Sequence, residues 1–132
     1  MKQFGLSSSE RIKSKKEFEL VFTKGEVFFS SSNRLKAAFY LVKNPGSNGI
    51  KAAFTVSKKS GNAVWRNRVK RLLRELYRLN KSQIKSVCSQ KGLKLFVILS
   101  PGTLNQLNNK KIYLKDIEGD VVDLLNQIRS KL

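Results

Sequence analysis

Histidine is absent from all 132 residues. With it go the usual general base, the commonest metal ligand and every Ser–His or Cys–His nucleophile pair. Cysteine occurs once, as Cys88, which excludes an intramolecular disulfide and a thiolate metal cage and leaves a small, buried or half-buried apolar role as the expected one. Acidic residues number nine against 27 Lys and Arg. Their one cluster, Asp116, Glu118, Asp120 and Asp123, falls early in an expected C-terminal helix, where acids complement the helix dipole. A two-metal nuclease would need several carboxylates converging from different elements. Glycine-rich phosphate loops are also missing, since Gly61 is followed by basic and apolar residues with no second glycine at the required spacing. No apolar run is long enough for a membrane span or, at the N-terminus, for a signal peptide, so a cytoplasmic protein with no membrane partner is expected. Nothing in the chain points to a small-molecule substrate, and neither a catalytic residue nor a metal ligand set is legible.

What the chain has is positive charge, a formal +18. Such an excess costs self-repulsion in a free enzyme, whereas a nucleic-acid partner turns it into affinity by counterion release. The charge is densest in residues 57–78. On a helix turning about 100° per residue, Trp65, Val69, Leu72, Leu73 and Leu76 share one arc and form a seam that buries against a core. Arg66, Lys70, Arg74 and Arg78 stack at i+4 steps along one flank, with Arg71 beside them and Arg68 on the other shoulder. Like charges at that spacing destabilise an isolated helix by roughly 0.2–0.5 kcal/mol per pair, yet only Glu75 interrupts them. A rigid cationic rod facing a shaped polyanion is the reading that accounts for this; a merely solvated face is the plain alternative.

Around this rod the chain reads as one domain, residues 1–132, with residues 1–10 expected to be flexible. Ser14-Lys15-Lys16-Glu17 has capping-box spacing, and Phe18, Val21 and Phe22 recur helically before Gly25, predicting a helix over residues 15–24. Residues 26–30 read as a short strand and 35–42 as a stronger one. Turn chemistry at 44–49 precedes a further run at 50–57, so the last two predict an antiparallel hairpin. The basic helix should end near Asn80, and a short helical piece from Ser82 should stop at Gly92. Residues 93–99 are strongly strand-like and close at Pro101-Gly102. Leu114, Ile117, Val121, Leu124, Leu125, Ile128 and Leu132 then keep helical period within residues 112–132, despite Gly119. No internal repeat or linker interrupts the chain.

The segment Gly61-Asn62-Ala63-Val64 leading into Arg66-Asn67-Arg68, Lys70-Arg71 and Arg74-Glu75, with Lys58 and Lys59 ahead of it, resembles the signature of the bacterial ribonuclease P protein subunit. Arg11-Ile12 followed by Phe18, Phe22 and Gly25 is similar to that family's first helix, and the order of elements fits across about residues 10–130. The resemblance implies an α+β domain of order αβββαβα, a sheet of about four strands, and a left-handed βαβ crossover carrying the basic helix. It implies an accessory subunit that binds a catalytic RNA. Together the pair removes the 5′ leader of precursor tRNA endonucleolytically, with hydrolysis by the RNA and magnesium bound mainly by RNA.

Carried over residue by residue, Lys58, Lys59, Arg66, Asn67, Arg68, Lys70, Arg71 and Arg74 would contact the RNA subunit. Phe18 and Phe22 would line a cleft for the single-stranded leader, facing Thr55 and Ser57 and either Phe39 or Tyr40. The plain alternative for Phe18 and Phe22 is core packing on helical spacing. Two departures stand out: Ser100-Pro101 occupies a place where the family commonly has arginine, and Leu93-Lys94 one where it often has an acid. The nearest rival to this reading is a basic ribosomal or other structural RNA-binding protein.

Overall fold

In a computed structural model the chain is described at residues 10–42, 46 and 48–132. The expected flexibility of residues 1–10 falls, but for residue 10, outside those residues, as does half of the expected turn at 44–49. Four helices and four strands follow the order α1 (Lys15–Lys24), β1 (Glu26–Phe29), β2 (Leu35–Val42), β3 (Gly49–Phe54), α2 (Ala63–Asn80), α3 (Ser82–Lys91), β4 (Lys94–Pro101) and α4 (Leu114–Arg129).

The cap on α1 is the expected one, with Ser14 Oγ accepting from Glu17 N at 3.0 Å. Gly25 ends α1 for a steric reason. Its backbone is extended, and a Cβ there would collide with the carbonyl oxygens of Val21 and Phe39. Gly92 is the left-handed stop, at φ 66°, and its N–H reaches back to the last carbonyls of α3.

The strand order is β1-β2-β4-β3. The expected hairpin between the second and third strands is therefore wrong. β4 lies between them, antiparallel to β2 and parallel to β3. The reason is apolar content: Leu95 to Leu99 are buried without a break, so β4 takes an interior position with a neighbour on each edge. It also runs two residues beyond the expected 99, because Ser100 and Pro101 still face Lys36 and Leu35 of β2. β3 is left at the end of the sheet, where Ile12 N donates to Ala52 O at 3.0 Å and residues 11–12 cover part of its free edge.

Alternation along the strands splits the apolar residues between the two faces. Leu35, Ala37, Phe39, Ile50, Ala52, Leu95, Val97 and Leu99 meet α2, α3 and α4 in the larger cluster. Ala38, Ala53, Phe96 and Ile98 meet α1 in the smaller one. The seam of α2 buries Trp65, Val69, Leu73, Leu76 and Tyr77, with Leu72 at its partly buried margin. Tyr77 packs edge-on against Phe54 and lies beside Cys88 in the same cluster. Burial pushes both the phenol and the thiol up from their ordinary pKa values.

α4 is fastened to the β1–β2 turn. Ser31 donates from N and Oγ to Asp123 Oδ2 at 2.8 and 3.0 Å, and Ser32 Oγ donates to Asp120 Oδ1 at 2.5 Å. Arg34 adds an ion pair to Asp120 at 3.6 Å. The turn itself has Asn33 at φ 63°.

Candidate nucleic-acid interface

Two surfaces on opposite faces of the sheet carry the expected site residues. The first is the outer side of α2 with the chain leading into it. Asn62 caps the helix, its side chain accepting from Trp65 N at 2.9 Å. Gly61 is needed for space: an added Cβ would sit 2.7 Å from the Trp65 ring and 2.9 Å from Gln106.

That close approach lets the 105–113 segment dock on the start of α2. Gln106 N donates to Ser60 O at 2.7 Å and Gln106 Oε1 accepts from Asn62 N at 2.8 Å. Trp65 Nε1 donates to Asn109 O at 2.8 Å, and Arg68 Nε to Ile112 O at 2.7 Å. The Arg68 guanidinium lies over the Tyr113 ring, 5.6 Å from its centroid.

With the apolar seam turned inward, Asn67, Arg71 and Arg74 are exposed and Arg66, Arg68 and Lys70 half-buried. Lys58 and Lys59 stand exposed on a one-turn 3-10 helix, Lys58–Ser60, just before α2. The eight expected residues thus share one stretch of surface, but they are not equivalent. Arg71 and Arg74 point outward, while Arg68 spends one nitrogen on the 105–113 segment. Arg66 Nε is buried with no hydrogen-bond partner among the described residues. Arg78, at the far end, is held by Glu75 one turn back.

The second surface is the α1 side of the sheet. Phe18 is half-buried against the smaller cluster and stacks on Phe22, ring centroids 6.4 Å apart and 20° between planes. Phe22 is 62% exposed, too much for a core residue. Core packing therefore describes part of Phe18 and none of Phe22. Of the two competing aromatics on β2, Tyr40 belongs to this face and is half-buried there.

Phe39 does not share this face. It is 4% exposed on the opposite face, packed on Phe28 at 5.0 Å between ring centroids, because the one-residue step along a strand reverses the side chain. Thr55 follows the end of β3 and continues the ladder, its N–H donating to Leu99 O at 3.1 Å. Ser57 is beyond the ladder at the start of the 3-10 turn, its Oγ 3.0 Å from Ser60 Oγ, so it belongs with the approach to α2.

Val27 and Phe29 were not legible as site candidates. They pair across from Ala38 and Lys36, share the α1 face, and are about half exposed. On the α1 side of β3, Lys51 Nζ pairs with Glu17 at 3.2 Å. Phe18 and Phe22 lie on one flank of α1, about 60° and 100° from buried Val21, and Glu17 lies on the other.

Three of the four acids of the α4 cluster are engaged within the protein. Asp120 and Asp123 hold the β1–β2 turn, and Asp116 Oδ2 accepts from Tyr113 N at 2.8 Å. Among the described residues no three His, Cys, Asp or Glu side chains gather in a way that could hold a metal ion. No described helix is long and apolar enough to cross a membrane.

A family model described as Ribonuclease P matches residues 6–124. The ribonuclease P protein component of Alkaliphilus metalliredigens is 34% identical over 124 residues, covering 94% of this chain and 97% of the relative. That of Clostridium novyi is 37% identical over 122 residues, covering 92% and 96%. The structure of the Staphylococcus aureus RNase P protein matches with a TM-score of 0.66 at 27% identity, covering 90% of this chain and 94% of that one.

Proposed function

The chain belongs to the ribonuclease P protein component family, and on that footing we propose that its two surfaces divide the work of an accessory subunit in tRNA 5′ processing. The α2 face grips the catalytic RNA. The α1 face receives the single-stranded leader of precursor tRNA. On the first face, Arg71, Arg74, Lys70, Lys58 and Lys59 neutralise phosphates, and the guanidinium forks of Arg66 and Arg68 offer two donors to one phosphate. Asn67, exposed beside them, both donates and accepts. On the second, the Phe22 ring with Phe18, Tyr40 and Thr55 offers stacking to bases of any identity, worth roughly 1–3 kcal/mol per base. Ser57 stands between the two surfaces and Phe39 is left out.

Magnesium held mainly by the RNA supplies the hydrolytic chemistry. The polypeptide contributes binding and orientation, in keeping with a chain that has no histidine and whose Asp116, Asp120 and Asp123 side chains are bonded within the fold. The cytoplasm, where precursor tRNA is processed, is the proposed location.

The observation that carries this reading is the exposed row Asn67, Arg71 and Arg74, set on a helix whose other face buries Trp65, Val69, Leu73, Leu76 and Tyr77. Reconstitution tests it. The protein with ribonuclease P RNA should cleave precursor tRNA at magnesium concentrations where the RNA alone is poor, and the polypeptide alone should cut nothing. Cleavage by the RNA-free polypeptide, or no gain on adding it to the RNA, would overturn the reading.

A further inference from the structure

The 105–113 segment and the first turn of α4 carry a group that the two surfaces above do not use. Tyr113 is 50% exposed although it is the last residue of a tightly held segment. One face of its ring is taken by the Arg68 guanidinium at 5.6 Å. Beside the ring is an open hollow of about 470 Å³ lined by Tyr113, Leu114, Lys115 and Glu118. Lys115 lines it, and Lys110 and Lys111, three and two residues ahead of Tyr113 in the chain, are exposed as Lys115 is.

The backbone under this group is fixed before any partner arrives. Trp65, Arg68, Asn62 and Ser60 hold the segment through four hydrogen bonds of 2.7–2.8 Å. Inside it, Asn108 N donates to Asn105 Oδ1 and Asn109 N to Asn105 O, both at 2.9 Å. An aromatic ring on rigid backbone, backed by a guanidinium and flanked by lysines, has the composition of a base-stacking platform on a phosphate-binding strip.

We propose that Tyr113, with Lys110, Lys111 and Lys115, binds an unpaired nucleotide of the RNA subunit. The base stacks on the ring face away from Arg68, and the flanking phosphates lie along the lysines. Glu118 at the rim sorts the two parts of the nucleotide, since a carboxylate repels phosphate but accepts from an exocyclic amino group of a base.

The RNA subunit is the occupant, not the leader. α4 packs on the larger cluster, across the sheet from Phe18 and Phe22, and Arg68 joins Tyr113 directly to the α2 row. This inference therefore rests on the assignment of the α2 face to the RNA subunit.

The experiment uses the full-length protein and full-length ribonuclease P RNA. Affinity is measured by filter binding for the wild type, Tyr113→Ala, Tyr113→Phe and the Arg71→Ala/Arg74→Ala double variant, with 2′-hydroxyl acylation mapping of each complex. Tyr113→Ala should weaken assembly by about 5- to 100-fold, while Tyr113→Phe stays within about twofold of the wild type because the ring remains. One or a few unpaired nucleotides protected by the wild type and by Tyr113→Phe should become reactive with Tyr113→Ala.

Unchanged affinity and protection in Tyr113→Ala would overturn the inference. So would a Tyr113→Phe variant as weak as Tyr113→Ala, or an effect confined to discrimination between leader-bearing and mature tRNA. If instead the wild type itself fails to bind the RNA, or the Arg71/Arg74 double variant binds like the wild type, the assignment of the α2 face has failed first.

Discussion

Exposed Arg71 and Arg74 and tethered Arg68 should separate affinity from stability. Replacing Arg71 and Arg74 together by Ala removes two side chains with no intramolecular partner among the described residues. It also relieves the i, i+4 repulsions of Arg74 with Lys70 and Arg78, so stability should change by no more than about 0.5 kcal/mol. The loss appears in assembly with the RNA. Each phosphate contact contributes about 0.7–0.9 to the log-log dependence of affinity on salt, so two contacts flatten the slope by about 1.4–1.8. Between 50 and 200 mM salt the wild type should then lose about tenfold more affinity than the double variant.

Arg68→Ala behaves differently. It gives up a 2.7 Å charged hydrogen bond to Ile112 O and the contact with Tyr113, together worth about 2–3 kcal/mol at a half-buried site. Its urea midpoint should fall as well as its affinity. Paired urea titrations and filter binding over a salt series read both quantities. If the double variant loses more than about 1 kcal/mol of stability, or its slope matches the wild type's, the division between outward and tethered arginines is wrong.

Three further expectations follow from contacts elsewhere. Asp120→Ala strands Ser32 Oγ and Arg34 on the β1–β2 turn and should cost about 1–3 kcal/mol in urea unfolding. Cleavage by the reconstituted holoenzyme at saturating protein should persist, and its loss in a folded, RNA-bound variant would restore a metal role to this cluster. Phe22→Ala should leave the urea midpoint in place and weaken leader-bearing precursor more than mature tRNA. Phe39→Ala should cost about 3–5 kcal/mol of stability; the opposite ranking would mean that the faces of β2 have been exchanged. Cys88 is fully buried with its thiol pKa raised, so the folded state holds its proton beyond the ordinary value of about 8.5. Its contribution to stability is therefore full below that pH and declines as pH rises through it. Alkylation of the native protein at pH 8 should track global unfolding, and rapid labelling without unfolding would refute the burial.

Periodic elements were the legible ones, because the chain itself carries their signal. The bounds of α1 and β2, the end of α2 near Asn80 and the stop at Gly92 follow from caps, breakers and apolar spacing. Pairing was not legible. The dense turn signal at 44–49 favoured β2 and β3 as neighbours, and nothing local announces that β4, forty residues on, is apolar enough to come between them. The same limit affected the site. Helical geometry placed the cations of α2 on its outer side, but Phe39 and Tyr40 could not be told apart without the register of β2. In sequence the acids of α4 are dipole complements, whereas Asp120 and Asp123 bind a turn about ninety residues earlier. Lys110, Lys111 and Tyr113 carry little sequence signal because a short polar segment has no period; the Lys-Lys doublet followed by an aromatic is the one available cue.

The placing of β4 between β2 and β3 has a consequence for biogenesis. As the chain leaves the ribosome, the first two strands can zip together early, but the third has no partner until the last strand emerges. The arginine-bearing helix must therefore be finished, and held against still unsatisfied backbone, before the sheet closes around its two ends. Chains truncated after Leu93 should lack cooperative unfolding, and a sharp transition in them would contradict this order. Once closed, the β3–β4 ladder ties together the two ends of the excursion formed by α2 and α3, so the helix that carries the arginines cannot be drawn away from the sheet without loading parallel-strand hydrogen bonds at both of its roots.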